Sequence, residues 1–345
     1  MTVGPGACPL TVLEVVEETA DARSLILAVP EEQRDRFNYR PGQFLTMRAP
    51  GPDGSRSARC YSLSSAPGVD PHLKITVKRV AGGLVSNWIC DEIRAGDAIE
   101  ALPPAGLFTP SRPEDDLLLF AGGSGITPVM SIIKAVLAGS TGSAVLFYAN
   151  RDESSVIFAA ELRDLMARAP HRLQVIHLLE SLHGLPAAAS LAQLAAPFAD
   201  RDKAFVCGPG PFMDAVAEAL RAVGVTGDRV VVERFKSLTT DPFAAPAASG
   251  PAADTAASVD VTLDGACHSF DWPATTPLLD LLLSHGLDAP FSCREGACSA
   301  CACRVTVGEV TMLRNDVLED EDLAEGWVLA CQSLPASDHV EVTYD

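Results

Sequence analysis

Short apolar runs broken by turn residues fill the first hundred positions of the chain. Residues 10–16, 24–29, 43–47, 73–80 and 98–102 each read as a β-strand. Arg40-Pro41-Gly42 and Ala81-Gly82-Gly83 punctuate them, and many short strands with such turns predict a small antiparallel barrel. From Asp116 the pattern changes. A buried-strand run at 117–120 passes through a Gly-rich turn into an apolar helix over 128–137. Strands at 144–148, 173–179, 203–206 and 229–232 then alternate with helices over 155–169, near 191 and over 211–223. That alternation predicts a doubly wound parallel sheet. Residues 239–257 are dominated by Ala, Pro, Ser, Asp and Gly and read as a linker. Beyond it come strands at 259–263 and 268–271, a helix over 277–285, a cysteine-rich segment and a strand at 340–344. The expected fold is therefore multidomain, β plus α/β, with domains at 1–112, 113–238 and 258–345.

Composition supports several cores: the chain has 345 residues, 48% of them apolar. A formal net charge of −19 argues against a nucleic-acid partner, which needs clustered Lys and Arg. The absence of an apolar run of about 18 residues argues against a membrane helix. The opening MTVGPGACPL lacks a signal-peptide pattern, so a cytoplasmic protein is expected. In that compartment thiols stay reduced, and the ten cysteines read as metal ligands or core residues. Charge is also uneven. Residues 258–345 hold 16 Asp and Glu against 3 Arg and no Lys, so 3 − 16 = −13 of the total lies there. One reading is solvation of a small domain; the other is a face that steers a basic protein partner.

Cys293, Cys298 and Cys301 stand in a C-x4-C-x2-C arrangement, with Cys331 following in LACQS. This is the plant-type spacing for a [2Fe–2S] cluster. Gly296 lets the loop turn so that main-chain N–H groups point at the sulfurs. Four thiolates also suit zinc, although zinc cysteines usually come as two paired knuckles. Cys303, two residues beyond Cys301, leaves a second ambiguity about the ligand set.

Four further segments carry chemistry. Gly82-Gly83-Leu84-Val85-Ser86 turns into a helix start, where free N–H groups and the Ser86 hydroxyl suit a phosphate. Ala121-Gly122-Gly123-Ser124-Gly125-Ile126-Thr127-Pro128 follows a buried strand and opens a helix. Its glycines suit close approach of a dinucleotide, Thr127 an N-cap and Pro128 the first helical position. Cys207-Gly208-Pro209 follows a strand at the edge where open α/β sheets bind ligands. Arg151, after the second sheet strand, suits a 2′-phosphate, but beside Asp152 and Glu153 it reads equally as an ordinary exposed residue. NADH is the expected coenzyme, with NADPH as the alternative.

Arg59-Cys60-Tyr61-Ser62 resembles the R-x-Y-S flavin motif of the ferredoxin–NADP⁺ reductase family, and residues 122–128 resemble its GGxGITP loop. The resemblance implies FAD as a cofactor. Arg59 would neutralise its pyrophosphate, Tyr61 stack on the isoalloxazine and Ser62 hydrogen-bond near N5. It also implies that Gly83, Leu84, Val85 and Ser86 contact the FAD pyrophosphate, while Gly122, Gly123, Gly125 and Thr127 hold the nicotinamide dinucleotide. Cys207, Gly208 and Pro209 would lie at the nicotinamide, with Glu233 and Phe235 near the flavin. Ser62, Cys207 and Glu233 are thus the expected catalytic group, and Cys293, Cys298, Cys301 and Cys331 the cluster ligands.

The order of flavin barrel, nicotinamide domain and ferredoxin resembles the reductase components of bacterial oxygenases. Segments such as RCYSLSS, CGPGPFM and DAPFSCREGACSACAC are most similar to the family serving 3-ketosteroid 9α-hydroxylases, and next to that serving phenylacetyl-CoA epoxygenases. Ser299 departs from the Gly common at its position in ferredoxin loops, which leaves the local cluster geometry open. The implied fold is an antiparallel FAD-binding barrel, a parallel-sheet NAD(P)-binding domain and a β-grasp [2Fe–2S] domain. The implied function is electron transfer from NAD(P)H to a terminal oxygenase docking near the acidic ferredoxin domain. A flavin and iron–sulfur redox sensor is the reading from another class.

Overall fold

The computed structural model describes residues 6–50, 56–112, 114–139, 141–244, 255–318 and 320–344. The chain divides into two compact units. One comprises Pro9–Pro104 with Phe108–Ser237, and the body of the other is Leu238–Asp345.

The first unit holds two sheets. Strands β1 (Cys8–Thr19), β2 (Ala22–Ala28), β3 (Phe44–Pro50), β4 (Arg56–Ser62), β5 (Leu73–Lys78) and β6 (Ala98–Ala101) form a six-stranded sheet in the order β4-β3-β6-β1-β2-β5. An antiparallel bridge between Leu63 and Ile75 links its two edges into a barrel. Alternation drives this part: Leu10 and Val12 face inward while Thr11 and Leu13 face out. Helix α1 (Leu84–Glu92) follows β5.

Strands β7 (Leu117–Gly122), β8 (Ala144–Asn150), β9 (Leu173–Leu179), β10 (Lys203–Cys207) and β11 (Val230–Glu233) form the second sheet. It is parallel throughout, in the order β11-β10-β7-β8-β9. All six residues of β7 are buried, as expected of a strand covered on both faces. Helices α2 (Ile126–Ala138), α3 (Ala159–Arg168), α4 (Glu180–His183), α5 (Ala188–Ala195) and α6 (Gly210–Ala222) connect the strands. The helix expected from residue 155 begins only at Ala159. Asp152 and Ser155 close a capping box on a short 3-10 turn, and Phe158 takes a left-handed φ of 63° before α3 starts.

In the second unit, β12 (Thr255–Leu263), β13 (Ala266–Pro273), β14 (Ala302–Val307), β16 (Trp327–Leu329) and β18 (His339–Thr343) make a mixed sheet in the order β13-β12-β18-β14-β16. Its central pair β12–β18 is parallel, and its other pairs are antiparallel. Strands β15 (Val310–Met312) and β17 (Ser333–Pro335) pair separately. Helices α7 (Leu278–Ser284) and α8 (Asp320–Ala324) complete the unit. Helix α7 buries Leu278, Leu279, Leu281 and Leu282.

The linker read at 239–257 is shorter in the structure. One oxygen of the Glu295 carboxylate accepts hydrogen bonds from the backbone N–H and hydroxyl of both Thr239 and Thr240, at 2.5–2.9 Å. Phe243 is buried, and β12 already begins at Thr255. A single aromatic and one carboxylate that accepts from four donors thus order a stretch whose composition reads as loose chain; residues 245–254 lie outside the described residues. Among the described residues, no helix is long and apolar enough to cross a membrane.

Candidate functional site

The parallel sheet reverses its winding between β7 and β10, and the loops leaving those two strands face each other there. A Cβ on Gly125 would lie 2.2 Å from the Cys207 carbonyl oxygen, and one on Gly122 would lie 2.8 Å from Pro209 Cδ. A Cβ on Gly208 would come within 3.0 Å of the Gly122 Cα. These glycines therefore let the two loops interlock, so the close approach they permit is first that of protein on protein. Gly123 differs: it takes a φ of +52°, and the Lys78 ammonium lies 3.9 Å from where its Cβ would be. The Tyr148 hydroxyl donates to the Gly123 carbonyl at 3.2 Å.

Two details correct the sequence reading of this loop. Helix α2 starts at Ile126 with Gly125 at the N-cap, so Thr127 is not the cap and Pro128 is not the first helical residue. The Thr127 hydroxyl instead donates back to the Ser124 carbonyl at 3.1 Å. The 3-10 turn at Gly123–Gly125 takes up the residues that would otherwise precede a cap.

Three residues far apart in sequence meet beside this crevice. Cys207 and Glu233 are register partners at the ends of β10 and β11. From β4, the Ser62 hydroxyl donates to Glu233 Oε2 at 3.4 Å. Burial pushes the Glu233 carboxyl up to about 8, against the smaller lowering effect of the Ser62 hydrogen bond. The Cys207 thiol is also pushed well up, by burial and then by the neighbouring Glu233 charge. Both groups are therefore held neutral at neutral pH. Phe235, two residues on, is exposed. Tyr61 and Arg59 are partly buried on β4, where Tyr61 pairs with Leu45 and Arg59 with Met47. Burial raises the Tyr61 phenol far above its usual range, although the Arg59 charge opposes it.

At the phosphate turn, α1 begins at Leu84 with Gly83 as N-cap. The N–H groups of Leu84, Val85 and Ser86 form its first turn, where helix donors lack intrahelical partners. The Ser86 hydroxyl accepts from the Val80 N–H at 3.2 Å and so braces the turn. Free N–H donors together with the Arg59 guanidinium suit a flavin pyrophosphate.

Sequence reasoning passed over Lys78 and Asp21. The Arg151 guanidinium is engaged by Asp21 at 2.9 Å, and Lys78 lies 3.8 Å from the same carboxylate. A lysine at the end of an alternating strand was the only local signal.

In the second unit the four cysteines of the quartet come together. The Cys293 N–H donates to Cys298 Sγ at 3.3 Å, and the Cys331 N–H donates to Cys301 Sγ at 3.5 Å. The Glu295 and Ala297 N–H groups point at Cys293 Sγ at 3.3 and 3.4 Å. Contacts from the Cys298 and Cys331 thiols, joined by these N–H donors, hold the Cys293 thiol well below its usual range despite burial. Convergent sulfurs with N–H groups aimed at them are the donor set an iron–sulfur cluster requires. Gly296 is needed here, because a Cβ would lie 2.7 Å from the Arg314 carbonyl oxygen and its φ is +71°. Ser299 adopts the left-handed φ of 55° that a glycine would take freely, and its hydroxyl donates to the Cys298 carbonyl at 2.6 Å. Cys303 sits on β14 opposite Val328, fully buried.

A family model for an oxidoreductase FAD-binding domain matches residues 9–109. Models for an oxidoreductase NAD-binding domain and a 2Fe-2S iron-sulfur cluster binding domain match residues 119–218 and 261–336. The protein is thus an oxidoreductase that combines FAD-, NAD- and [2Fe–2S]-binding domains. The last of these matches spans the quartet, which decides for the cluster over zinc. The 3-ketosteroid-9-alpha-monooxygenase ferredoxin reductase component of Mycolicibacterium smegmatis is 56% identical over 349 residues, covering 99% of this chain and 98% of that one. The chain belongs to this family of ferredoxin reductase components. A component of the Escherichia coli 1,2-phenylacetyl-CoA epoxidase is 35% identical over 353 residues, covering 97% of both chains. The solved structure of phthalate dioxygenase reductase, 25% identical, matches with a TM-score of 0.56 over 98% of each chain.

Proposed function

We propose that this protein takes hydride from NADH and delivers single electrons to the terminal Rieske oxygenase of a 3-ketosteroid 9α-hydroxylase in the cytoplasm. The observation that carries this reading is the meeting of Ser62, Cys207 and Glu233 at the crevice where the sheet reverses. The 56% identity to a 3-ketosteroid-9-alpha-monooxygenase component, against 35% to an epoxidase component, favours the steroid oxygenase as client. The organisation that serves it is a flavin domain at 1–112, a nicotinamide domain at 113–238 and a ferredoxin domain at 258–345.

When bound, FAD supplies the hydride-accepting ring and the [2Fe–2S] cluster supplies one-electron transfer. The chain supplies position and charge. Arg59 and the first turn of α1, from Gly83 to Ser86, would hold the flavin pyrophosphate, and Tyr61 would stack on its ring. Lys78 beside Gly123 meets the dinucleotide pyrophosphate. Gly122, Gly125, Thr127, Gly208 and Pro209 shape the crevice, and the exposed Phe235 would cover the flavin. Asp21 occupies Arg151 and disfavours the extra 2′-phosphate of NADPH, because the two anions would compete for one guanidinium. Cys207, buried at the end of β10, would form the floor beneath the nicotinamide. A neutral Glu233 would put no negative charge beside the reacting ring, and the Ser62 hydroxyl, hydrogen-bonded to the Glu233 carboxyl, would hold a proton there. Cys293, Cys298, Cys301 and Cys331 hold the cluster, and the acidic surface around it meets the oxygenase.

Reconstitution tests the reading. Protein loaded with flavin and iron should oxidise NADH faster than NADPH and support steroid 9α-hydroxylation when mixed with the oxygenase. A preparation holding both cofactors yet inert to both nucleotides would sink it. Support of CoA-thioester epoxidation alone would move the client to the epoxidase.

A further inference from the structure

The second unit buries two polar side chains that electron delivery, as described, does not use. Cys303 follows the expected ligand Cys301 by two residues and enters β14 with its side chain turned into the core. On the neighbouring strand, Val342 pairs with Val305 and Thr343 with Arg304. The next step of that antiparallel ladder sets Tyr344 across from Cys303. Alternation turns Tyr344 to the same side as the buried Val342, towards the core. Its backbone is held there by a hydrogen bond from the Tyr344 N–H to the Thr262 carbonyl at 2.9 Å.

The Tyr344 hydroxyl is fully buried and has no hydrogen-bond partner of ordinary geometry among the described residues. The ladder register places it on the side of the buried Cys303, which stands two residues beyond the expected ligand Cys301. A buried hydroxyl left unpaired costs about 1–3 kcal/mol. Phenylalanine would fill the same space without that cost. An O–H dipole directed at a sulfur site lowers the energy of its more negative state, which in a one-electron centre is the reduced state.

We propose that Tyr344 and Cys303 form a buried donor pair behind the [2Fe–2S] site that raises its reduction potential, with Cys303 a positioning residue and not a cluster ligand. In this pairing the Tyr344 hydroxyl would point to the Cys303 thiol, which stands two residues beyond the expected ligand Cys301. No bond forms or breaks; the pair acts through its dipoles. The inference rests on the quartet holding the cluster, and the iron and acid-labile sulfide content of the wild-type protein reports on that separately. A wild type lacking a [2Fe–2S] spectrum on reduction would overturn both, whereas a full cluster whose potential ignores both substitutions would overturn the tuning alone.

The experiment is a potentiometric titration of the full-length, flavin- and cluster-loaded protein, followed by electron paramagnetic resonance. Tyr344→Phe should keep its iron and sulfide but shift the reduced-to-oxidised ratio at fixed poise towards oxidised by up to about tenfold, equal to about 59 mV for one electron. The resonance g-values should move with it. Cys303→Ala should also keep its iron and lower the potential, and the double variant should shift no further than the larger single change. A Tyr344→Phe protein with full iron content, unchanged potential and unchanged g-values overturns the proposal. So does loss of iron from Cys303→Ala alone, since that would make Cys303 a ligand. If Tyr344→Phe fails to retain its cluster, the potential of Cys303→Ala decides, and an unchanged value refutes the pairing.

Discussion

At the crevice between β7 and β10, the chemistry of single residues follows from their neighbours. Glu233, raised to about 8 by burial, is neutral where an exposed glutamate would be charged. The sign for folding follows directly. Its folded value exceeds its unfolded value, so its contribution to stability is fully present below the unfolded pKa and lost as pH rises through about 8. Glu233→Gln, which mimics the neutral acid, should abolish that loss, measured as urea stability across the same pH window. Its hydride-transfer rate at neutral pH should stay within about tenfold of wild type, and the decline above about pH 8 should disappear, by stopped-flow with NADH. Gly125→Ala makes a sharper test of geometry. Its Cβ would fall 2.2 Å from the Cys207 carbonyl oxygen, so the strand end must move. Overpacking of this kind costs about 1–3 kcal/mol, and the expected outcome is a lower Tm together with a reduced kcat/KM for NADH.

Between elements, the feature with the largest expected effect is a buried charge network where the barrel meets the parallel sheet. Lys134 of α2 is only 5% exposed and pairs with Glu161 of α3 at 2.5 Å and with Asp70 at 3.3 Å. Lys74 of β5 pairs with Glu161 at 3.4 Å and with Glu18 of β1 at 3.1 Å, while its ammonium lies over the Phe158 ring. The left-handed turn at Phe158, which delays α3, is what puts that ring under Lys74. Removing one buried partner leaves the others uncompensated. Lys134→Met should therefore cost about 3–5 kcal/mol in chemical denaturation, although methionine fills similar space. Burial acts to raise the Glu161 carboxyl, but the Lys74 and Lys134 charges outweigh it and hold the group below its usual value. That stabilisation is present above the unfolded pKa and is lost as pH falls through the folded one. Wild-type stability should fall on acidification below the ordinary glutamate range, and Glu161→Gln should flatten that fall.

For the whole molecule, the charge distribution matters more than its total. Of the formal −19, −13 lies in residues 258–345, the segment that carries the cysteine quartet. If that face meets a basic patch on the oxygenase, reduction of the partner should slow as ionic strength rises from low salt through about 0.15 M, where screening reaches about 8 Å. NADH oxidation with a small artificial acceptor should change far less. A partner-reduction rate flat across salt would leave the acidic surface with solvation alone. The measurement is a pair of steady-state salt titrations, one with the oxygenase and one with the small acceptor.

Local order along the chain determined a good deal by itself. Alternation in β1, the continuous apolar run of β7 and the C-x4-C-x2-C spacing each depend on residues within a few positions of one another. The barrel, the parallel sheet and the cysteine loop were therefore legible in the sequence. Composition misled at Thr239 and Thr240, because the carboxylate that orders them, Glu295, lies more than fifty residues away. The cap expected at Thr127 shifted because a 3-10 turn came first. Only the tertiary structure decided that Gly125 accommodates the Cys207 backbone, that Asp21 engages Arg151, that Lys78 sits at the glycine loop, and that the strand leading to Tyr344 pairs with the strand of Cys303. Each of these joins residues distant in sequence, where burial and charge are set by what the fold brings near. A motif specifies which groups are present; the packed neighbours specify their protonation, their partners and the direction in which they act.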